Sequence, residues 1–247
     1  MILNEIGKVI TDAEILHRGW ISRQGFIFTG ITYPANIYDA IVIKHPQDVR
    51  CFSPVIKESS HNLEEQMELI NREKIEKAMI IAENIDFIKK CPTLRYLRII
   101  PAENAGDGFD YSPLYEMPEI KSLQCSTVYG AGERFFTELD CERITGLQDI
   151  HVTSRGYRNY KKISTLKSLE LSGSNELPDL SFLKTMKSLK TFVFNMNVKD
   201  GDLSLCTGLS YVYSERNRKH YNLKNTELPK GQYVRGNEGI EVWRRCE

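Results

Sequence analysis

Residues 163–194, ISTLKSLELSGSNELPDLSFLKTMKSLKTFVF, state one pattern twice. Leu166, Leu169 and Leu171 stand in the spacing L-x-x-L-x-L, and Leu189, Phe192 and Phe194 repeat it 23 residues further on. With the first Leu as position 0, apolar residues at 0, +3 and +5 recur beyond this doublet, in six registers that start at Leu94, Ile120, Leu147, Leu166, Leu189 and Leu209. Position +3 holds Leu97, Leu123, Ile150, Leu169, Phe192 and Val212. Position +5 holds Ile99, Cys125, Val152, Leu171, Phe194 and, breaking the pattern, Ser214.

Columns not used to find the pattern test it. Three residues before position 0 stand Cys91, Met117, Ile144, Ile163, Met186 and Cys206; six before it stand Ile88, Leu114, Cys141, Tyr160, Leu183 and Leu203. All of these are apolar or aromatic in a chain that is 41% hydrophobic, so the array is real. Apolar residues at −6, −3 and 0 follow a helical or 3₁₀ rhythm, whereas +3 and +5 alternate with the period of a strand. Each unit therefore reads as a short helical turn followed by a short strand.

The segments FIKKCPTLRYLRI, SFLKTMKSLKTFVF and SLCTGLSYVY resemble leucine-rich repeats of the irregular bacterial kind, and the resemblance covers residues 78–215. It implies an α/β solenoid: a curved parallel sheet, a short helical or irregular convex side, and caps at both ends. A single unit cannot cover its own apolar face, so such units must stack. The family usually places Asn at +8, where this chain has Ala102, Val128, Arg155, Ser174, Asn197 and Asn217, so the expected turns are irregular.

Residues 1–77 read as an N-terminal cap. Asn62 and Glu65 have capping-box spacing, and Leu63, Met67 and Ile70 share one helical face, which predicts a helix over 62–77. AMIIAEN then reads as a degenerate strand with Asn84 at its turn, and GFIFTGITY and YDAIVIKH as strands of a separate small sheet. Residues 216–247 read as the C-terminal cap, with Val242 and Trp243 covering the last unit.

Thirty-three basic and 33 acidic residues leave no net charge, so the chain lacks the field that draws proteins to nucleic acid or anionic membranes. Charged residues interrupt the N-terminal apolar positions and every apolar run is short, which predicts a cytoplasmic protein without leader or membrane span. Cys51, Cys91, Cys125, Cys141, Cys206 and Cys246 include no C-x-x-C pair, which predicts reduced thiols and no zinc site. His17, His45, His61, His151 and His220 form no metal-binding spacing, and phosphate loops and nucleophile elbows are missing from the sequence. KDGDLS resembles a calcium loop, but Tyr211 occupies its twelfth position, so a polar turn is the better reading.

The outward-facing columns would carry the function. On the concave face, +2, +4 and +6 bring up Tyr96, Arg98, Gln124, Asp149, His151, Glu170, Tyr211 and Tyr213, with Ser122, Ser126, Ser168, Ser172 and Thr191 between them. The resemblance implies protein binding there, and the expectation is a non-enzymatic module, without cofactor or metal, whose partner is another protein. One concrete form is a bacterial inhibitor or immunity-type protein. The alternatives are an enzyme with its site in residues 1–61, and an RNA-binding protein that uses RNRKH at 216–220 beside Tyr211, Tyr213 and Tyr221.

Overall fold

A computed structural model describes residues 40–44, 63–72, 74, 76–101, 109–125, 138–152, 156–173, 176–214 and 216–231. Its main feature is one sheet of eight parallel strands: β1 (Ala40–Lys44), β2 (Lys77–Ala82), β3 (Tyr96–Pro101), β4 (Ser122–Cys125), β6 (Asp149–Val152), β8 (Ser168–Leu171), β10 (Thr191–Phe194) and β12 (Tyr211–Ser214). They lie side by side in chain order. Four two-residue strands make two small parallel ladders, β5 (Leu139–Asp140) with β7 (Tyr157–Arg158), and β9 (Glu176–Leu177) with β11 (Asn197–Val198).

The register matches the sequence columns position for position. Leu97, Leu123, Ile150, Leu169, Phe192 and Val212 pair rung to rung across six strands. None of the six is more than 1% exposed, and in the +5 column Ile99, Cys125, Val152, Leu171 and Phe194 are as deeply buried. Fully burying a side chain of this size contributes about 1.5–3 kcal/mol. The core is thus a repeated layer, each unit supplying the wall for the next.

The other side of each unit is a run of 3₁₀ turns. At every unit the N–H at −3 donates to the carbonyl at −6, from Cys91 to Ile88 (2.9 Å) through to Cys206 and Leu203 (2.9 Å). In five of the six the N–H at position 0 then donates to the carbonyl at −3; no such bond is found for Leu166. Successive i→i+3 turns keep −6, −3 and 0 on one face, which is why these columns are apolar. A further pattern joins the units: Lys121 and Ser122 both donate to Arg95 O, Gln148 and Asp149 to Lys121 O, Lys167 and Ser168 to Gln148 O, and Lys190 and Thr191 to Lys167 O.

Two expectations about the flanks change. The helix, α1, is Leu63–Arg72, shorter than 62–77: Lys74 has φ 51, a left-handed conformation that breaks the helix, and β2 begins at Lys77. Asn62 lies outside the described residues, while Ile70 is fully buried and Leu63 and Met67 pack on the core as their spacing predicts. The strand in YDAIVIKH does not belong to a separate sheet. It is β1, paired in parallel with β2 from Ala40↔Lys77 to Lys44↔Ile81. GFIFTGITY, Val242 and Trp243 lie outside the described residues.

At the far end the chain returns along β12. Val212 N donates to Pro229 O (2.8 Å) and Gly231 N to Ser210 O (3.0 Å), around an antiparallel bridge between Tyr211 and Lys230. This pairing covers the exposed edge of the last strand. Leu228 is buried beneath it.

Candidate functional site

The outward face of β4, β6 and β8 carries a connected set of polar side chains, placed by the pairs Gln124↔His151 and His151↔Glu170. Gln124 Nε2 donates to His151 Nδ1 across 2.7 Å. The ring proton then sits on Nε2, which reaches Ser172 Oγ at 2.7 Å and lies 3.3 Å from Glu170 Oε1. The His151 and Glu170 side chains keep 17% and 20% of their surface, enough to be touched from outside. In the neighbouring column Ser122 Oγ donates to Asp149 Oδ2 at 3.3 Å. Gln124 Oε1 is buried and has no hydrogen-bond partner.

The geometry around His151 is not that of a Ser-His-acid nucleophile assembly. In a Ser-His-acid arrangement the carboxylate holds one ring nitrogen while the hydroxyl uses the other. Here Glu170 and Ser172 share Nε2, and an amide holds Nδ1. The carboxylate therefore competes with the hydroxyl instead of orienting the ring against it.

The predicted binding residues do not form one exposed patch. Tyr96 (9% exposed), Gln124 (8%) and Asp149 (4%) are buried, and so are Ser122, Ser168 and Thr191 between them. The reason is strand spacing: in a column whose rungs stand ~4.8 Å apart, a short side chain is walled in by its neighbours. Burial, with Glu76 adding to it, raises the Tyr96 hydroxyl above its ordinary pKa. Arg98 holds the register position opposite Gln124, and its side chain is outside the described residues. Tyr211 and Tyr213 are half-buried under Lys230, whose Nζ stands 5.6 and 5.1 Å from their ring centres. Five strand spacings, roughly 24 Å, separate Tyr96 from Tyr211, so the tyrosines frame the polar set rather than join it.

Lys230 was not among the residues the sequence singled out. Its Nζ donates to Val212 O (2.5 Å) and Asn225 Oδ1 (2.9 Å), and no sequence spacing announces that pairing. At the end of the RNRKH segment His220 Nε2 lies 2.9 Å from Val198 O, and beside it the Tyr221 hydroxyl accepts from Val198 N and donates to Met196 O, while Arg216 and Lys219 are exposed. Tyr221 is half-buried against Phe194, ring centres 6.4 Å apart, so its ring is not a free stacking platform. KDGDLS forms a turn in which Asp200 Oδ1 accepts from Asp202 N and Asp202 Oδ1 from Ser204 N. The described cysteines, Cys91, Cys125, Cys141 and Cys206, are unbridged and buried, and burial pushes the Cys91 thiol up to about 11 and Cys141 and Cys206 up to about 12.

Among the described residues no group of His, Cys, Asp and Glu could hold a metal ion, and no helix is long and apolar enough to cross a membrane. His17, His45 and His61 lie outside the described residues. No protein-family model matches the chain, and no curated protein matches it.

Proposed function

We propose that this chain is a protein-binding module built as a leucine-rich repeat solenoid, and that it acts by occupying the surface of another protein with the outward face of β4, β6, β8 and β10. The observation that carries the reading is the opposite chemistry of the two faces of one sheet. The inward columns are sealed and apolar except at Ser214, whereas the outward ones bear Gln124, His151 and Glu170 in a connected set with Ser122 bonded to Asp149 beside it. Rigid backbone under interlinked polar side chains loses little entropy on binding, the condition under which a mixed surface gains specificity. The concrete form is an inhibitor or immunity-type protein of the cytoplasm that needs no cofactor. The fold alone supports that form, by analogy.

The test is affinity purification of the tagged chain from its native cells, followed by the same experiment with His151→Ala and Glu170→Ala. A stoichiometric protein that is recovered with the parent and lost with the variants supports the reading. Recovery of RNA in a steeply salt-dependent manner, or of nothing, overturns it.

A further inference from the structure

His151 is held from both sides by neighbouring units. Its Nδ1 lies 2.7 Å from Gln124 Nε2 on β4, and its Nε2 lies 2.7 Å from Ser172 Oγ, just past β8, and 3.3 Å from Glu170 Oε1 on that strand. We propose that this set is a proton switch in the outward face: in mild acid His151 takes a second proton on Nδ1, the Gln124 amide turns over to accept it, and the set passes from the negative charge of Glu170 to no net charge. That the switch regulates binding rests on the protein-binding reading above. The titration itself does not.

Gln124 Nε2 can donate to Nδ1 only while that nitrogen is bare. A proton taken from solvent converts Nδ1 from acceptor to donor, so the Nε2–H···Nδ1 bond breaks and the amide must withdraw or present its oxygen. Turning over breaks no other bond, because Oε1 is buried without a hydrogen-bond partner and the contact with His151 is the amide's only one among the described residues. Once turned, Oε1 stands where Nε2 stood and accepts Nδ1–H. Gln124 is 8% exposed, so solvent has little room to take its place.

The charged ring has support on its other side. Nε2–H keeps its contact with Ser172 Oγ in both forms, and Glu170 Oε1 becomes the counter-charge. Among the described residues the ionisable groups on this face beside the ring are Glu170, from β8, and Asp149, two residues before it on β6, whose Oδ2 accepts from Ser122 Oγ. From β4 come only the neutral Ser122 and Gln124, and β10 places Val193 at the rung beyond Glu170; Arg98 of β3 holds the rung beyond Gln124, its side chain outside the described residues. Both carboxylates favour the charged ring and burial opposes it. The His151 side chain keeps 17% of its surface, a route for the proton.

The experiment is an NMR titration of the isotope-labelled full chain from about pH 8 to about pH 5, the range over which an imidazole ordinarily changes charge. Ring nitrogen signals, assigned by their loss in His151→Gln, report the tautomer, and the Gln124 side-chain amide signals are assigned by their loss in Gln124→Leu. The expected result is a neutral ring protonated on Nε2 at the alkaline end, protons on both nitrogens at the acid end, and Gln124 amide signals that move with the same midpoint. Glu170→Gln should lower that midpoint by about 0.5 pH units or more, and Gln124→Glu should raise it by as much, because a carboxylate accepts from Nδ1–H without turning. A ring that stays neutral throughout, an amide that does not follow the ring, or a midpoint indifferent to Glu170→Gln would each overturn the switch; the first two are read on the parent alone, whatever the variants do to folding. Affinity purification repeated at the two ends of the range should recover the partner in yields at least about threefold apart, and equal yields would remove the regulatory role. A silent ring with a partner still recovered sinks the switch and leaves the binding reading standing, whereas co-titration without any partner does the reverse.

Discussion

The Tyr157 hydroxyl accepts from Cys125 N at 2.7 Å and donates to Cys125 O, so one side chain satisfies both backbone groups of a residue 32 positions earlier. The pairing of β4 with β6 runs out at Gln124↔His151, one rung before Cys125. Tyr157 stands in for the missing rung, and it is 4% exposed.

Tyr157→Phe should therefore cost about 2 kcal/mol or more, since it strands a buried N–H and a buried C=O together. Tyr115→Phe removes a comparable bond, to Asp140 N at 2.9 Å, but at a half-buried site where water can replace it. Urea unfolding of both variants measures the difference. Equal losses would show that Tyr157 is not completing the β4 edge.

The register predicts a sharp contrast between neighbours. Leu169 is fully buried between Ile150 and Phe192, so Leu169→Ala should cost ~2–5 kcal/mol. Glu170→Gln, one residue on and half-buried on the opposite face, should stay within about 1 kcal/mol, because the amide keeps an oxygen that can accept from the neutral His151 ring at a partly solvated site. A larger loss at Glu170 than at Leu169 in denaturant midpoints would invert the two faces.

The repeating core was legible because one spacing is used six times, and chance agreement in five columns does not survive that repetition. The +2 column was misread as exposed for the same local reason that made it visible. Alternation says which face Ser122, Asp149 and Ser168 point to, but not that neighbours at strand spacing close over short side chains. Tyr157 and Lys230 were illegible because each acts on a single backbone site through a contact no period generates. Asn217, at +8 of the last unit, accepts from Asn225 N at 2.9 Å, and Asn195, at +6 of its unit, accepts from Gly173 N at 2.9 Å.

Alkaline pH should destabilise the protein. Burial raises the thiols of Cys91, Cys141 and Cys206 from 9.0 to about 11, 12 and 12, so between these limits the native state holds protons that the unfolded chain has released. A group with a raised native pKa contributes stability that is complete below its unfolded value and lost as pH climbs through the native one. Urea midpoints should fall from pH 9 upward. Cys141→Ala should make that fall shallower; an unchanged slope would mean its thiol titrates alike in both states.

Two glycines separate conformational need from mere occurrence. Gly201 has φ +71, and a Cβ there would meet His220 O at 2.3 Å, whereas a Cβ on Gly208 would find nothing within 4 Å. Gly201→Ala should cost about 2 kcal/mol or more through strain and displacement of the returning chain, while Gly208→Ala should be neutral or slightly stabilising. Thermal melts of the pair decide it, and similar midpoints would mean the turn at Gly201 rearranges freely.

Burial also reassigns the roles of the binding candidates. Large exposed aromatics are common hot spots, but Tyr96 is only 9% exposed, so Tyr96→Ala should act mainly on stability. His151 and Glu170 keep accessible surface and share a contact of 3.3 Å, so each should act on affinity for the recovered partner while leaving the melt nearly unchanged. In a double-mutant cycle the two should couple, the loss for the pair falling short of the sum of the single losses, because either substitution already breaks the set that presents both. Calorimetric titration of the parent, both single variants and the double variant reads this directly. Strict additivity would mean that His151 and Glu170 meet the partner independently, and a loss of binding on Tyr96→Ala without loss of stability would return the hot spot to the tyrosine.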